Sequence, residues 1–180
     1  AVCDIDQKKA IEKSGGTAKV YTDYKKLLAE VKPEFVTIAT WSGNHSQIAV
    51  DCLKAGAHVL VEKPMALSTK DADAMINTAK ECNKKIAVCF QNRFNTPVQK
   101  TYEALKKGRF GKILHGAVQV RWNRNDAYYK EADWRGTWEM DGGTLMNQCT
   151  HGIDLLQWLM GEGVVRVHGV TRKFLRNIEA

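Results

Sequence analysis

Apolar residues follow two different rhythms along the chain. In the first half, short runs of buried-strand length, Ala1–Cys3, Phe35–Thr40, His58–Val61 and Ile86–Phe90, alternate with stretches of helical period. Thr22 is placed to cap a helix that turns Leu27, Leu28 and Val31 inward. Asn44 opens another with Ile48, Ala49, Cys52 and Leu53 on one face, and Gly56 stops it. A third begins at Ser68, where Ser68 and Asp71 form a capping-box variant and Ala72, Met75, Ile76 and Ala79 follow at i, i+3, i+4 and i+7. Strands and helices in this order imply a parallel sheet with right-handed crossovers.

The second half reads differently. Pro97 to Lys107 suggests a helix ended by Gly108, after which Leu114, Gly116, Val118, Val120 and Trp122 alternate with mostly polar neighbours, as in a strand with one wet face. A polar stretch of loop character, residues 123–143, leads to a helix from about Thr144 to Met160, closed by Gly161, and then to a strand pattern over Val164–Thr171. The expected fold is α/β: an incomplete doubly wound parallel sheet over residues 1–92, then the start of an α+β domain with an open sheet over residues 93–180. A doubly wound nucleotide-binding fold normally opens with a strand and a glycine-rich turn. No G-x-G-x-x-G occurs, and Gly15-Gly16 follows a helical stretch rather than a strand. The chain therefore reads as a fragment that begins at the second strand, with weak or no cofactor binding expected of it alone.

Composition narrows the class. A content of 44% hydrophobic and 26% charged residues suits a globular protein, and no stretch approaches the ~20 apolar residues of a membrane span. The first ten residues lack the order of a secretory signal, so a soluble, cytoplasmic protein is expected. Five cysteines without a C-x-x-C pair read as structural thiols. The net charge of +7 is uneven: residues 1–90 hold 13 Lys and 11 acids, residues 91–180 hold 14 Lys or Arg and 9 acids, and all eight arginines lie in the second half. Guanidinium forks suit carboxylates and phosphates, which points to an anionic small-molecule substrate. No basic run, zinc-finger spacing or aromatic-basic motif supports nucleic acid.

Several residues could carry chemistry. Asp4 lies where a strand ends, placed to accept hydrogen bonds from ribose hydroxyls or to cap a helix; Asp6 could fill either role. The segment from Thr40 through Asn44 and His45 joins a strand to a helix at the sheet edge where ligands bind, although Asn44 also suits a simple N-cap. Glu62-Lys63-Pro64 emerges from a buried strand, either as a site or as a surface ion pair with a turn proline. At helical spacing Asn147, His151, Asp154 and Trp158 form one polar stripe, opposite Leu145, Cys149, Ile153, Leu156 and Met160. His151 suits proton exchange near neutrality, with Asp154 one turn away to orient its ring; the same stripe also suits a solvated face. H-x-x-D without a third ligand argues against a metal.

Together these residues resemble the Gfo/Idh/MocA oxidoreductases, in order over residues 1–180. The resemblance implies that NAD is the cofactor, that Asp4 contacts its ribose, and that Thr40, Asn44, His45, Glu62 and Lys63 line it. Asn147 stands where many members carry an aspartate before the histidine, which weakens an Asp–His dyad. The strings Trp134-Arg135-Gly136-Thr137-Trp138, Asp141-Gly142-Gly143 and Asn147-Gln148 are similar to the UDP-N-acetylglucosaminuronate 3-dehydrogenase branch, which acts in lipopolysaccharide sugar synthesis. That likeness adds Trp134 and Arg135 to the cofactor set and Arg93, Asn95, Asn147, His151 and Asp154 to the substrate set. Lys63 and His151 then become the catalytic pair, in an enzyme that forms homo-oligomers. An inositol or free-sugar dehydrogenase, or a non-catalytic fragment, are the alternatives.

Overall fold

The alternation expected in the first half is present in the computed structural model, which describes residues 1–161, 163–172 and 174–180. Its elements run β1 (Val2–Cys3), α1 (Gln7–Lys13), β2 (Val20–Tyr21), α2 (Tyr24–Val31), β3 (Phe35–Ile38), α3 (His45–Lys54), β4 (His58–Glu62), α4 (Thr69–Glu81) and β5 (Ile86–Cys89). The chain divides into two units. The first comprises Ala1–Thr40, Asn44–Val61 and Ser68–Ala87; the second comprises Trp41–Gly43, Glu62–Leu67 and Val88–Ala180.

Within the first unit, polar residues set the helix starts. Asp6 accepts the Lys8 N–H and so caps α1, while Ser68 Oγ accepts the Asp71 N–H at the start of α4. The cap of α2 is Asp23, which accepts the Lys25 N–H, and not Thr22. A carboxylate is the stronger acceptor for the orphan amides and favours the positive end of the helix dipole. The core forms where α3 packs against α4 and the strands: Ala49, Leu53, Val61 and Met75 are fully buried, with Cys52 and Val59 beside them. Burial pushes the Cys52 thiol up to about 11, so it behaves as a small apolar residue. Two expected core residues, Val31 and Ile76, are exposed. α2 ends at Lys32 in the left-handed region, and the buried stripe of α4 runs through Met75, Thr78 and Ala79, because its packing on α3 selects the face.

The sheet is parallel but divided. β3 pairs with β4 from Phe35↔His58 to Ile38↔Val61, and β5 lies on the other side of β4. β1 pairs instead with β2, Val2↔Val20 and Cys3↔Tyr21. A two-residue strand has no period, so the sequence pattern did not reveal β2.

The second unit carries α5 (Thr96–Lys106), α6 (Asp126–Lys130), α7 (Gly143–Met146) and α8 (Thr150–Met160). Three expectations change. The helix expected over 144–160 is two helices, separated by a turn at residues 147–149. The stretch 123–143 holds a short helix, α6, whose Tyr128 N–H is accepted by Asn125. Residues 114–122 and 164–171 form no ladder among the described residues, since an extended segment becomes a strand only through hydrogen bonds to a neighbour. The alternation of 114–122 still selects a face. A Cβ at Gly116 would approach Leu156 to 2.7 Å, and one at Gly152 would approach Val118 to 3.0 Å, so two glycines let this segment lie against α8. By contrast Val165 is fully exposed. The chain end returns to its own unit: Ala180 N–H donates to the Gly136 carbonyl at 2.8 Å, and Arg176 pairs with Asp126. No helix among the described residues is long and apolar enough to cross a membrane.

Candidate active site

In the first unit, Asp4 follows β1 and is half-buried; one carboxylate oxygen accepts the Asp6 N–H at 2.8 Å. Capping falls to Asp6, so Asp4 is not the cap. Thr40, beyond the end of β3, is exposed, and its carbonyl lies 3.1 Å from Nε2 of His45. His45 is 1% exposed and braces this turn from within the core. Asn44 immediately precedes α3 but makes no side-chain capping bond, so the simple-cap alternative is not realised.

The second unit gathers the remaining candidates more tightly. Glu62 ends β4, and the Lys63 N–H donates to its carboxylate at 3.2 Å. The Lys63–Pro64 peptide is cis. The Lys63 side chain, half-buried, donates through Nζ to both oxygens of Asn147: the backbone carbonyl at 3.0 Å and Oδ1 at 3.1 Å. Burial pulls the Lys63 amine below its usual value, while the charges of Glu62 and Asp141 oppose that shift. Asn147 can present both oxygens because it stands in the turn between α7 and α8, where its carbonyl is not consumed by a continuous helix.

Asp141 supports this turn from below. It is 3% exposed; one oxygen accepts the Gly136 N–H at 2.9 Å and the other accepts the Asn147 Nδ2–H. The next residue, Gly142, has φ +74°, a backbone conformation that favours glycine, and a Cβ there would come within 2.6 Å of the end of the Leu67 side chain, which would have to move. Asp141 was visible in the sequence only as the residue before a glycine pair, with no site role attached. Its partner six residues on lies across a helix break that period-3.6 reasoning did not register.

His151 sits in the first turn of α8. Burial lowers its pKa, the Lys63 charge lowers it further, and Glu62 and Asp154 act in the opposite sense. Its Nδ1 is buried with no hydrogen-bond partner among the described residues. Asp154 therefore does not orient the ring. That carboxylate, 9% exposed, receives a fork from Arg93: Nε donates to Oδ2 at 2.8 Å and the terminal nitrogen to Oδ1. The Arg93 guanidinium also lies over Trp158, 5.2 Å from the ring centre. Asn95 is exposed ahead of α5 and makes no capping bond. Arg135 stacks 4.0 Å from the Tyr128 ring centre and 5.2 Å from that of Trp134, and it pairs with Glu131 at 3.1 Å. Thus Lys63, Asn147 and His151 come together in the second unit, Arg93 and Asp154 neutralise each other, and Trp134 and Arg135 form a separate aromatic-cation cluster.

The polar stripe read from the sequence is real at α8 but inverted in environment. Asp154 and Gly152 are buried, while Leu145 and Ile153, on the opposite, apolar face, are 53% and 50% exposed.

Residues 1–90 match the Gfo/Idh/MocA oxidoreductase family with an NAD-binding Rossmann fold, and residues 98–180 match the Gfo/Idh/MocA C-terminal domain. The chain is 38% identical to the WlbA dehydrogenase of Bordetella pertussis, solved in complex with NADH and UDP-GlcNAcA, with a TM-score of 0.93 over 99% of this chain and 56% of that one. The WlbA dehydrogenase of Chromobacterium violaceum, solved with the same two ligands, gives 41% identity and a TM-score of 0.82 over 88% of this chain and 46% of that one. D-glucoside 3-dehydrogenase of Escherichia coli is 34% identical over 92% of this chain and 47% of its own length, and myo-inositol 2-dehydrogenase of Thermotoga maritima is 27% identical over 93% and 48%. The chain thus spans about half the length of the curated relatives it matches. With a parallel α/β first unit, Lys63 leaving the end of a strand toward the Asn147 turn, and both family domains matched, the chain belongs to the Gfo/Idh/MocA family of oxidoreductases.

Proposed function

We propose that the protein is an NAD-dependent dehydrogenase that oxidises a ring hydroxyl of an anionic nucleotide sugar, as a UDP-N-acetylglucosaminuronate 3-dehydrogenase does. The observation that carries this reading is the half-buried Lys63 amine, fixed by two oxygens of Asn147 and electrostatically coupled to His151. The likeness to the two WlbA enzymes supports the choice of substrate.

The residues fit a nicotinamide dinucleotide. Asp4 has a carboxylate at a strand end whose geometry suits ribose hydroxyls, and its charge would repel a 2′-phosphate, favouring NAD over NADP. We assign to the cofactor, in the first unit, Thr40 and Asn44, with the buried His45 bracing the Thr40 turn rather than lining the site, and, in the second unit, Glu62, Lys63, Trp134 and Arg135. Bound NAD supplies the hydride acceptor. The chain's own groups manage the proton and the position. Lys63 Nζ donates to the substrate hydroxyl oxygen and holds that carbon in place. His151, kept neutral by burial and by the Lys63 charge, has the lone pair needed to take the hydroxyl proton. The two roles can also be exchanged. Asn147 contacts the substrate while it holds Lys63. Arg93, Asn95 and Asp154 border the sugar, and the Arg93–Asp154 fork keeps that wall rigid. Residues 1–92 then act as the cofactor domain and 93–180 as the substrate and assembly domain of a cytoplasmic homo-oligomer in lipopolysaccharide sugar synthesis, with no nucleic-acid or membrane partner.

The test is a substrate panel. The intact protein with NAD should reduce the cofactor with UDP-N-acetylglucosaminuronate and far more slowly with myo-inositol or unmodified glucosides. Preferred turnover of the uncharged polyols would transfer the assignment to the inositol or glucoside dehydrogenases among its relatives.

A further inference from the structure

The site contains a carboxylate that the proposed chemistry does not use. Asp141 is 3% exposed, lies in the same unit as Lys63, and divides its oxygens between the Gly136 N–H and the Asn147 side-chain amide. A buried carboxylate is costly unless hydrogen bonds satisfy it, and here two donors do so. The second bond has a directional effect. A carboxamide has one donor end and one acceptor end. Once Nδ2 is committed to Asp141, Oδ1 must point the other way, and it receives Lys63 Nζ at 3.1 Å. The same turn presents the Asn147 carbonyl to Nζ at 3.0 Å, so the amine sits between two oxygens of one residue.

We propose that Asp141 is a positioning residue for Lys63 that acts through Asn147: its carboxylate fixes the orientation of the Asn147 amide, and that amide fixes the Lys63 amine. The arrangement also accounts for asparagine at position 147. An aspartate there would set two carboxylates against each other at hydrogen-bond distance and would leave Asp141 without its side-chain donor. Asn147 supplies the donor that Asp141 requires and the acceptor that Lys63 requires. The charged groups acting on Lys63 are Glu62 and Asp141, so removing either has a defined sign, while Lys63 in turn acts on His151.

This inference rests on the proposed role of Lys63, but its test does not depend on turnover. The intact protein is produced with isotope-labelled lysine, the Lys63 side-chain signal is assigned by its loss in Lys63→Arg, and its titration is followed by NMR without substrate. Asp141→Asn removes a negative charge and the constraint on the amide, so the Lys63 midpoint should move to lower pH. Asn147→Asp adds a negative charge beside the amine, so the midpoint should move to higher pH. Loss of fold would shift every variant toward the solvated value, so opposite shifts separate positioning from unfolding. In parallel, Asp141→Asn should lower kcat on the order of 10- to 100-fold, the usual effect of misplacing a reacting group, with KM less affected. Asp141→Glu should restore the midpoint in part. If Asp141→Asn does not fold, Asn147→Ala serves instead, and its loss of Oδ1 should also move the midpoint down. An unchanged midpoint in the folded Asp141 or Asn147 variants would overturn the inference. Absence of turnover in the unaltered protein, with the shifts present, would overturn the proposed function and leave the positioning role standing.

Discussion

The two units are held together by different physics. In the first, the core is apolar: Leu53, Met75, Val59 and Val61 are at most 2% exposed, and Asp6, Asp23 and Ser68 cap helix starts. In the second, α5 has no fully buried residue, large apolar side chains such as Leu114, Val165 and Phe174 lie in solvent, and the buried groups include Asp141 and Asp154. It is tied together by polar bonds, mostly between side chains: Asp141 to the Gly136 N–H and the Asn147 amide, Asp154 to Arg93, Arg176 to Asp126. Apolar packing tolerates small displacements, whereas directional bonds fix where an amine or a ring stands. The candidate chemistry lies in the unit built the second way.

The largest effect should come from breaking the apolar unit. Leu53→Ala removes a fully buried side chain and should cost about 3 kcal/mol, seen as a lower urea midpoint. Arg93→Ala should follow at about 2 kcal/mol, below the cost of breaking a fully buried pair because the Arg93 side chain is 34% exposed. Removing both partners in Arg93→Ala with Asp154→Ala should recover part of that loss; no recovery in this double-mutant cycle would mean that the fork is not what orders the unit.

A smaller effect concerns His151. Its folded pKa lies below the unfolded value of 6.5, so the unfolded chain binds more protons in that interval. Stability should therefore fall as pH drops from 6.5 through the lowered folded value, and be flat above 6.5. His151→Gln should flatten the profile, and an undiminished slope in thermal melts would assign it to other groups. Smallest of all, Val165→Lys at a fully exposed position should change stability by less than about 0.5 kcal/mol. A larger loss would show that the exposed segment is covered in solution.

The same contrast explains what could be read in advance. Helix periods, the Ser68 cap and the apolar runs of β3, β4 and β5 were legible from the sequence, although only β4 alternates buried positions and β5 has no fully buried residue. β2 escaped because two residues cannot show one. In the second unit the hydrogen bonds of Lys63 to Asn147 were not legible, since 84 residues separate them; the resemblance implied only that Lys63 pairs with His151 and that Asn147 contacts the substrate. The break at Asn147 and the engagement of Asp154 by Arg93 left no periodic trace, because both depend on hydrogen bonds whose partners are chosen in three dimensions. The alternation of residues 114–122 reported a face without a ladder.

The central claim is that Lys63 and His151 perform the proton and positioning chemistry. It is tested most directly by the steady-state rate of NAD reduction by the intact protein with UDP-N-acetylglucosaminuronate, compared with Lys63→Ala and His151→Ala. The account predicts a fall in kcat of ~10²–10⁴-fold in each variant, the range for acid–base groups, with the fold retained. Near-normal rates in either folded variant would contradict it.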